Sequence, residues 1–228
     1  MITVHHLNNS RSQRVLWLLE ELGVAYRVQR YQRDAKTMLA PPELRAVHPL
    51  GKSPVITDDN LPAGEQAVAE SGAIVEYLVN RYGQDTTLRP PAATSERRRY
   101  TYWLHYAEGS AMPPLLLSLI FSKIRTAPMP FFVKPIARGI ADKVMQGFVT
   151  PQIDTHFDYM ESELGKREWF AGDLFTAADI QMSFPIEAAG ANGLLDARPK
   201  LVQFLARIQA RPAYQRALKQ GGPYQPGR

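Results

Sequence analysis

Three short stretches of this chain set small hydroxyls, a carboxylate and an ammonium beside backbone with donors to spare. They are Asn9-Ser10-Arg11-Ser12, Lys52-Ser53-Pro54 and Glu70-Ser71. Each lies where a loop gives way to a regular element. Ser71 opens an apolar-periodic run, so its hydroxyl and the first amides of a helix make an anion site. Glu70, one residue earlier, can pair with an ammonium. Together they suit the end of an α-amino acid, which carries both charges. Pro54 at a strand start leaves the backbone of Ser53 open to a ligand, and that backbone can pair with an extended peptide. Ser10 precedes the first helix, where the positive dipole end favours an anion such as a thiolate. Ser10-Arg-Ser-Gln13 also spells a capping box, in which Ser10 only closes a helix. Ser71 can likewise be a plain N-cap. The residues alone leave both uses open.

Elements able to position these stretches follow from the periodicity. Ile2–Leu7 leans to strand, and Asn8 to Ser12 break it. From Val15 the apolar positions 15, 16, 18, 19 and 22 fall on one helical face, and Gly23 stands where a helix ends. Ala25–Tyr31 alternates as a strand. Residues 34–48 read as a short irregular helix interrupted by Pro41-Pro42. Pro54–Thr57 and Ala67–Ala69 are two short strands joined by a turn-rich link. Ser71 then caps a helix carrying Ile74, Val75, Leu78 and Tyr82, closed by Gly83. The order is β-α-β-α-β-β-α. Residues 84–94 are polar, proline-containing and aperiodic, the composition of a linker. Beyond them everything reads as helix. One long helix spans Ser95 to Ala111 and stops before Pro113-Pro114. Several pieces occupy 115–165. Thr176-Ala-Ala-Asp179 is a capping box opening a helix through Ala189. Pro199 and Pro212 sit in the first turns of two more, and a loose tail follows from Gly221.

Composition bounds the chemistry. The 228 residues are 45% hydrophobic and 21% charged, the balance of a globular chain of one large or two small domains. The net charge of +5 is spread along the chain, with no basic stripe longer than Arg97-Arg98-Arg99, which argues against a nucleic-acid binder. Cysteine is absent, which excludes disulfides, thiolate metal sites and a protein thiol nucleophile. No apolar run reaches membrane-span length, and the N-terminus lacks the pattern of a signal peptide; the expectation is a cytoplasmic protein. His5 and His6 are strand neighbours pointing to opposite faces, so they cannot chelate a metal together. His48, His105 and His156 lack partners at ligand spacing, and no metal is expected. Gly51-Lys52-Ser53 resembles the end of a phosphate loop, but Ala46 stands where the earlier glycine belongs and Pro54 opens a strand instead of a helix.

The run from Ser10 to Leu22, then His48-Pro-Leu-Gly-Lys-Ser-Pro54, Glu70-Ser-Gly-Ala-Ile74 and Phe175-Thr-Ala-Ala-Asp-Ile180 resembles the glutathione S-transferase family in order and spacing. The likeness covers essentially the whole chain and is nearest to the theta-like bacterial and fungal group with a serine-type active site. It implies a thioredoxin-like glutathione-binding domain over 1–83, a linker over 84–94, and an all-helical domain over 95–228 holding the second-substrate site and dimer contacts. It implies a homodimer that binds glutathione, its co-substrate, and no nucleic acid. Glu70 and Ser71 resemble the pair gripping the γ-glutamyl end. Ser53 resembles the residue whose backbone pairs with the cysteinyl part, beside a cis Pro54. Lys52 resembles a cation near the glycyl end, and Ser10 the hydrogen-bond donor to sulfur, with Asn9 and Ser12 as possible auxiliaries. Tyr106, Met112, Leu115 and Phe121 are candidates for the second-substrate site. The implied activity is conjugation or reduction of small hydrophobic electrophiles by the glutathione thiolate, a detoxification role. The alternatives are a glutathione-dependent isomerase, peroxidase or dehalogenase, or a non-enzymatic binding or assembly module.

Overall fold

A computed structural model describes residues 1–84 and 86–226. Asp85 of the expected linker and Gly227 and Arg228 of the expected tail lie outside the described residues. The first seven elements are β1 (Ile2–Leu7), α1 (Ser12–Leu22), β2 (Tyr26–Tyr31), α2 (Glu43–Val47), β3 (Val55–Asp58), β4 (Ala67–Ala69) and α3 (Ser71–Tyr82). This is the β-α-β-α-β-β-α order expected. The sheet runs β2-β1-β3-β4, with β1 and β2 parallel and β3 antiparallel to both β1 and β4. β1 is central and almost wholly buried, whereas the edge strand β2 alternates half-buried with exposed positions.

Ten helices in all are described, the rest being α4 (Ser95–Tyr106), α5 (Met112–Thr126), α6 (Lys134–Val144), α7 (Thr150–Lys166), α8 (Ala177–Ala191), α9 (Pro199–Gln209) and α10 (Pro212–Gly221). Residues 177–189 of α8 are buried on every side, so it is the central helix of this half. The two halves share one core: Trp17 of α1 packs against Phe175 at 5.6 Å and against Tyr214 of α10 at 5.2 Å. Residues 86–94 lie along the helical half, with the Ala177 amide donating to the Leu88 carbonyl at 2.9 Å.

Four local expectations are corrected. Pro113-Pro114 does not stop the chain's helical path. A π-helical turn, Ala107–Ala111, absorbs the change of pitch, and both prolines enter the first turn of α5, where their missing N–H groups cost nothing. In 34–48 only Glu43–Val47 is helical, with Pro42 at its N-cap. Ser71 is the first helical residue of α3; the N-cap position belongs to Glu70. The described part of the tail is not loose: the Tyr224 hydroxyl donates to Glu187 at 2.9 Å and the Gln225 amide to Asn9 Oδ1 at 2.8 Å. Gly23, by contrast, closes α1 as expected, in the left-handed region at φ 65°.

Candidate active site

Strand register assembles the site. β3 and β4 pair Val55 with Ala69. The residues just outside that pair, Ser53-Pro54 on one side and Glu70-Ser71 on the other, therefore meet at one end of the sheet. β1 and β3 pair His5 with Val55, which brings the loop after β1 to the same end. The Ser53–Pro54 peptide is cis. Ser53 Oγ donates to the His5 carbonyl at 3.5 Å and lies 3.2 Å from Ser10 Oγ.

Ser10 is not the N-cap of α1. Arg11 holds that position with helical dihedrals and no side-chain cap, and the Gln13 side-chain amide makes no hydrogen bond among the described residues. The capping-box use of Ser10-Arg-Ser-Gln13 is therefore not built. Ser10 Oγ instead accepts from the Ser12 amide at 3.2 Å and lies 2.7 Å from Ser12 Oγ. Ser12 Oγ in turn stands 2.9 Å from His6 Nδ1. Three hydroxyls and an imidazole thus form a continuous line from the sheet end into the interior. Burial is the main reason His6 is pushed down to about 4; the Gly221 backbone opposes this and Arg30 adds to it. The imidazole is neutral at pH 7.

Glu70 is exposed and takes φ 70°, a conformation uncommon for a residue with a side chain. Its side chain makes no capping bond, so it leaves the first amides of α3 uncapped. A carboxylate, a buried hydroxyl at Ser71 and a helix start facing the Ser53 backbone can hold a zwitterion and an extended chain together.

A second set of charges joins the halves. Arg11 Nε donates to both carboxylate oxygens of Glu108 at 2.9 Å, and Arg14 Nη2 donates to the same group at 2.9 Å. Both guanidinium groups lie over the Phe184 ring, at 4.6 and 5.1 Å. Burial resists ionisation of Glu108, yet Arg14 and Arg11 hold it below the usual carboxylate range. No local pattern announces this triad, because Arg11 and Glu108 are 97 positions apart.

A cleft of about 640 Å³ opens beside the sheet end, between Asn9, Lys52 and Ser53 on one side and Met112, Leu115 and Phe184 on the other. Met112 and Leu115 line it. Tyr106 and Phe121 do not. Tyr106 is buried with its hydroxyl 2.5 Å from His156 Nδ1, and Phe121 faces a separate shallow depression beside Arg125 and Met145. Asn9 lies on the cleft and is fixed by Gln225, and Ser12 lies beneath Ser10.

Residues 1–80 match the family model for the glutathione S-transferase N-terminal domain, and residues 129–220 match that for the C-terminal domain. Glutathione S-transferase 1 of Saccharomyces cerevisiae is 38% identical over 191 residues, covering 83% of this chain and 81% of the yeast protein. Glutathione S-transferase 3 of Schizosaccharomyces pombe is also 38% identical, over 83% of this chain and 74% of its own length. A crystal structure of a glutathione S-transferase from Actinobacillus pleuropneumoniae superimposes with a TM-score of 0.80 at 32% identity, covering 99% of this chain and 94% of that one. A Pseudomonas fluorescens family member, solved with two glutathione molecules bound, gives 0.71 at 28% identity, covering 95% and 92%. With both family models matched and the thioredoxin-like and helical halves in place, the chain belongs to the glutathione S-transferase family and is an enzyme of that family.

Proposed function

We propose that the chain binds glutathione along the sheet end and uses its thiolate to conjugate or reduce small apolar electrophiles held in the adjoining cleft. The observation that carries this reading is the register of β3 with β4, which sets Glu70-Ser71 across from Ser53-Pro54 while Ser10 Oγ lies 3.2 Å from Ser53 Oγ. Glu70 takes the ammonium of the γ-glutamyl end, and Ser71 with the first amides of α3 takes its carboxylate. The Ser53 backbone pairs with the cysteinyl unit, and Lys52 faces the glycyl carboxylate. Sulfur then lies against Ser10. A charge-assisted hydrogen bond is worth about 1.5–3 kcal/mol, which lowers a thiol's pKa by about one to two units. Residues 1–83 supply this site, 84–94 link the halves, and 95–228 supply the apolar wall of Met112 and Leu115. A serine-type site is the reading that fits a chain without cysteine.

Replacing both Glu70 and Ser71 by alanine should weaken glutathione binding tenfold or more while the fold persists; unchanged affinity by calorimetry would overturn the assignment. We also propose a homodimer. The open edge of β2 and exposed apolar side chains such as Tyr102 and Phe148 offer surface for a second copy. Light scattering at micromolar concentration should give twice the chain mass, and a value for one chain would refute it.

A further inference from the structure

We propose that Ser10, Ser12 and His6 form a proton relay that takes the proton of the glutathione thiol and stores it on His6 Nδ1. This rests on the reading above in which Ser10 faces sulfur. The three groups stand in contact distance of one another, at 2.7 Å between the hydroxyls and 2.9 Å from Ser12 Oγ to Nδ1. All three are buried, so water does not interrupt the line.

The direction of the chain is set at its inner end. The Gly221 backbone, near the ring, favours its protonated form. Nδ1 is engaged with Ser12, and the relay uses the neutral tautomer with its hydrogen on Nε2. Nδ1 of the neutral ring is then an acceptor. In the setting the relay uses, Ser12 donates to Nδ1 at 2.9 Å, a shorter contact than the Leu7 carbonyl at 3.4 Å, and Ser10 donates to Ser12 Oγ at 2.7 Å, shorter than Ser53 Oγ at 3.2 Å. In this resting state Ser10 Oγ presents lone pairs to the ligand, so it can accept a proton and cannot yet stabilise a thiolate.

The step balances within the site. The S–H bond breaks and its proton passes to Ser10 Oγ. The former Ser10 hydrogen passes to Ser12 Oγ, and the former Ser12 hydrogen passes to Nδ1. A thiolate and an imidazolium result, with no net change of charge. Every hydrogen bond in the line has reversed, so Ser10 now donates to sulfur. The two functions asked of Ser10, accepting from the thiol and donating to the thiolate, are thus the two settings of one chain. The proton arrives on His6 paired with a negative charge at the outer end, which offsets the burial that disfavours an isolated imidazolium. The charged group bearing on His6 is Arg30 of β2, which opposes protonation. α1 presents the neutral Ser12 hydroxyl, α10 the Gly221 backbone, and β3 the apolar Val55 beside His5. His5 itself lies on the other strand face, bonded to Tyr31 and Thr57. His6 and Ser12 act through Ser10 and are positioning residues, since neither touches substrate.

The test combines thiolate absorbance titration of bound glutathione, the pH–rate profile, and ¹⁵N NMR of the His6 ring with and without glutathione. In the native chain, glutathione should convert the ring from neutral to protonated at Nδ1 at pH 7. Ser12→Ala and His6→Phe should each raise the pKa of bound glutathione by about one unit and lower kcat about tenfold, with KM for glutathione changed less than threefold. His6→Asn keeps an acceptor for Ser12 but no basic nitrogen, so it should resemble His6→Phe; restoration of native kinetics by asparagine would reduce His6 to a structural partner and overturn the relay. A ring that stays neutral on binding would overturn it as well. If His6→Phe does not fold, Ser12→Ala and His6→Asn carry the test. Ser10→Ala separates the two levels. If it leaves the thiol pKa unchanged, the assignment of Ser10 to sulfur fails; if it shifts the pKa while Ser12→Ala and His6→Asn do not, the relay alone fails.

Discussion

At the start of α8, the Thr176 amide and hydroxyl donate to Asp179 at 2.8 and 3.0 Å, and the Phe170 amide donates to the same carboxylate at 2.9 Å. At the start of α1 the same spacing, Ser10-Arg-Ser-Gln13, closes nothing. The Gln13 side-chain amide is buried without a hydrogen bond among the described residues, and Ser10 Oγ turns to Ser53 and Ser12. The helix boundary explains the divergence. α8 begins directly after Thr176, whereas α1 begins two residues after Ser10 and takes Arg11 as its N-cap. A hydroxyl one residue further from the helix is too remote for the reciprocal bond and is left for other work. One start is fully committed to holding the fold; the other keeps its donors and acceptors adjustable.

That contrast can be broken or sharpened at three positions. Asp179→Ala should have the largest effect. It leaves the Phe170 and Thr176 amides buried without a partner, each costing about 1–3 kcal/mol, in addition to the cap itself at about 1 kcal/mol. The expected loss is about 3 kcal/mol in denaturant unfolding, which for this chain length lowers Tm by about 6–12 °C, with kcat of the folded enzyme unchanged. A fall in kcat without loss of stability would erase the distinction between the two starts. Ser10→Ala should do the reverse. The rate at neutral pH should fall about tenfold, equivalent to about 1.4 kcal/mol in the barrier, with unfolding stability moved by less than about 1 kcal/mol. A pH–rate profile should show its rising limb displaced upward, because the lost donor acts on the charged form of sulfur. The smallest effect belongs to Gln13→Met. It removes a buried, unbonded amide for an apolar chain of similar length, so it should raise stability by about 1 kcal/mol and leave the rate untouched. A loss of stability there would mean that Gln13 is bonded in solution.

Much of this was legible before any coordinates. The apolar spacing of Val15, Leu16, Leu18 and Leu19 with Gly23 behind it specifies α1, and Thr176 with Asp179 specifies the start of α8, because both signals are local. The groups at the sheet end were legible as types for the same reason. What joined them was not. The contact of Ser12 with His6 depends on which way a strand and a helix face, and His6 sits beside a second histidine with other partners. Tyr106 turns to His156 on α7, a partner 50 positions away, and Pro113-Pro114 reads as a stop unless the π-helical turn is seen. The Arg11–Glu108 pair and the docking of Tyr224 on Glu187 join residues far apart in the chain and leave no periodic trace.

The bond from the Gln225 amide to Asn9 has a consequence in time. Its two ends are 216 positions apart, and chains are made from the N-terminus at about 5–20 residues per second. The loop that carries Ser10 therefore emerges from the ribosome about 10–40 s before the segment that will fasten it, and Trp17 waits nearly as long for Tyr214. During that interval the sheet and its hydroxyls exist as a half-finished enzyme. A nascent chain stalled before α10 should bear its N-terminal strands but lack the tether on Asn9.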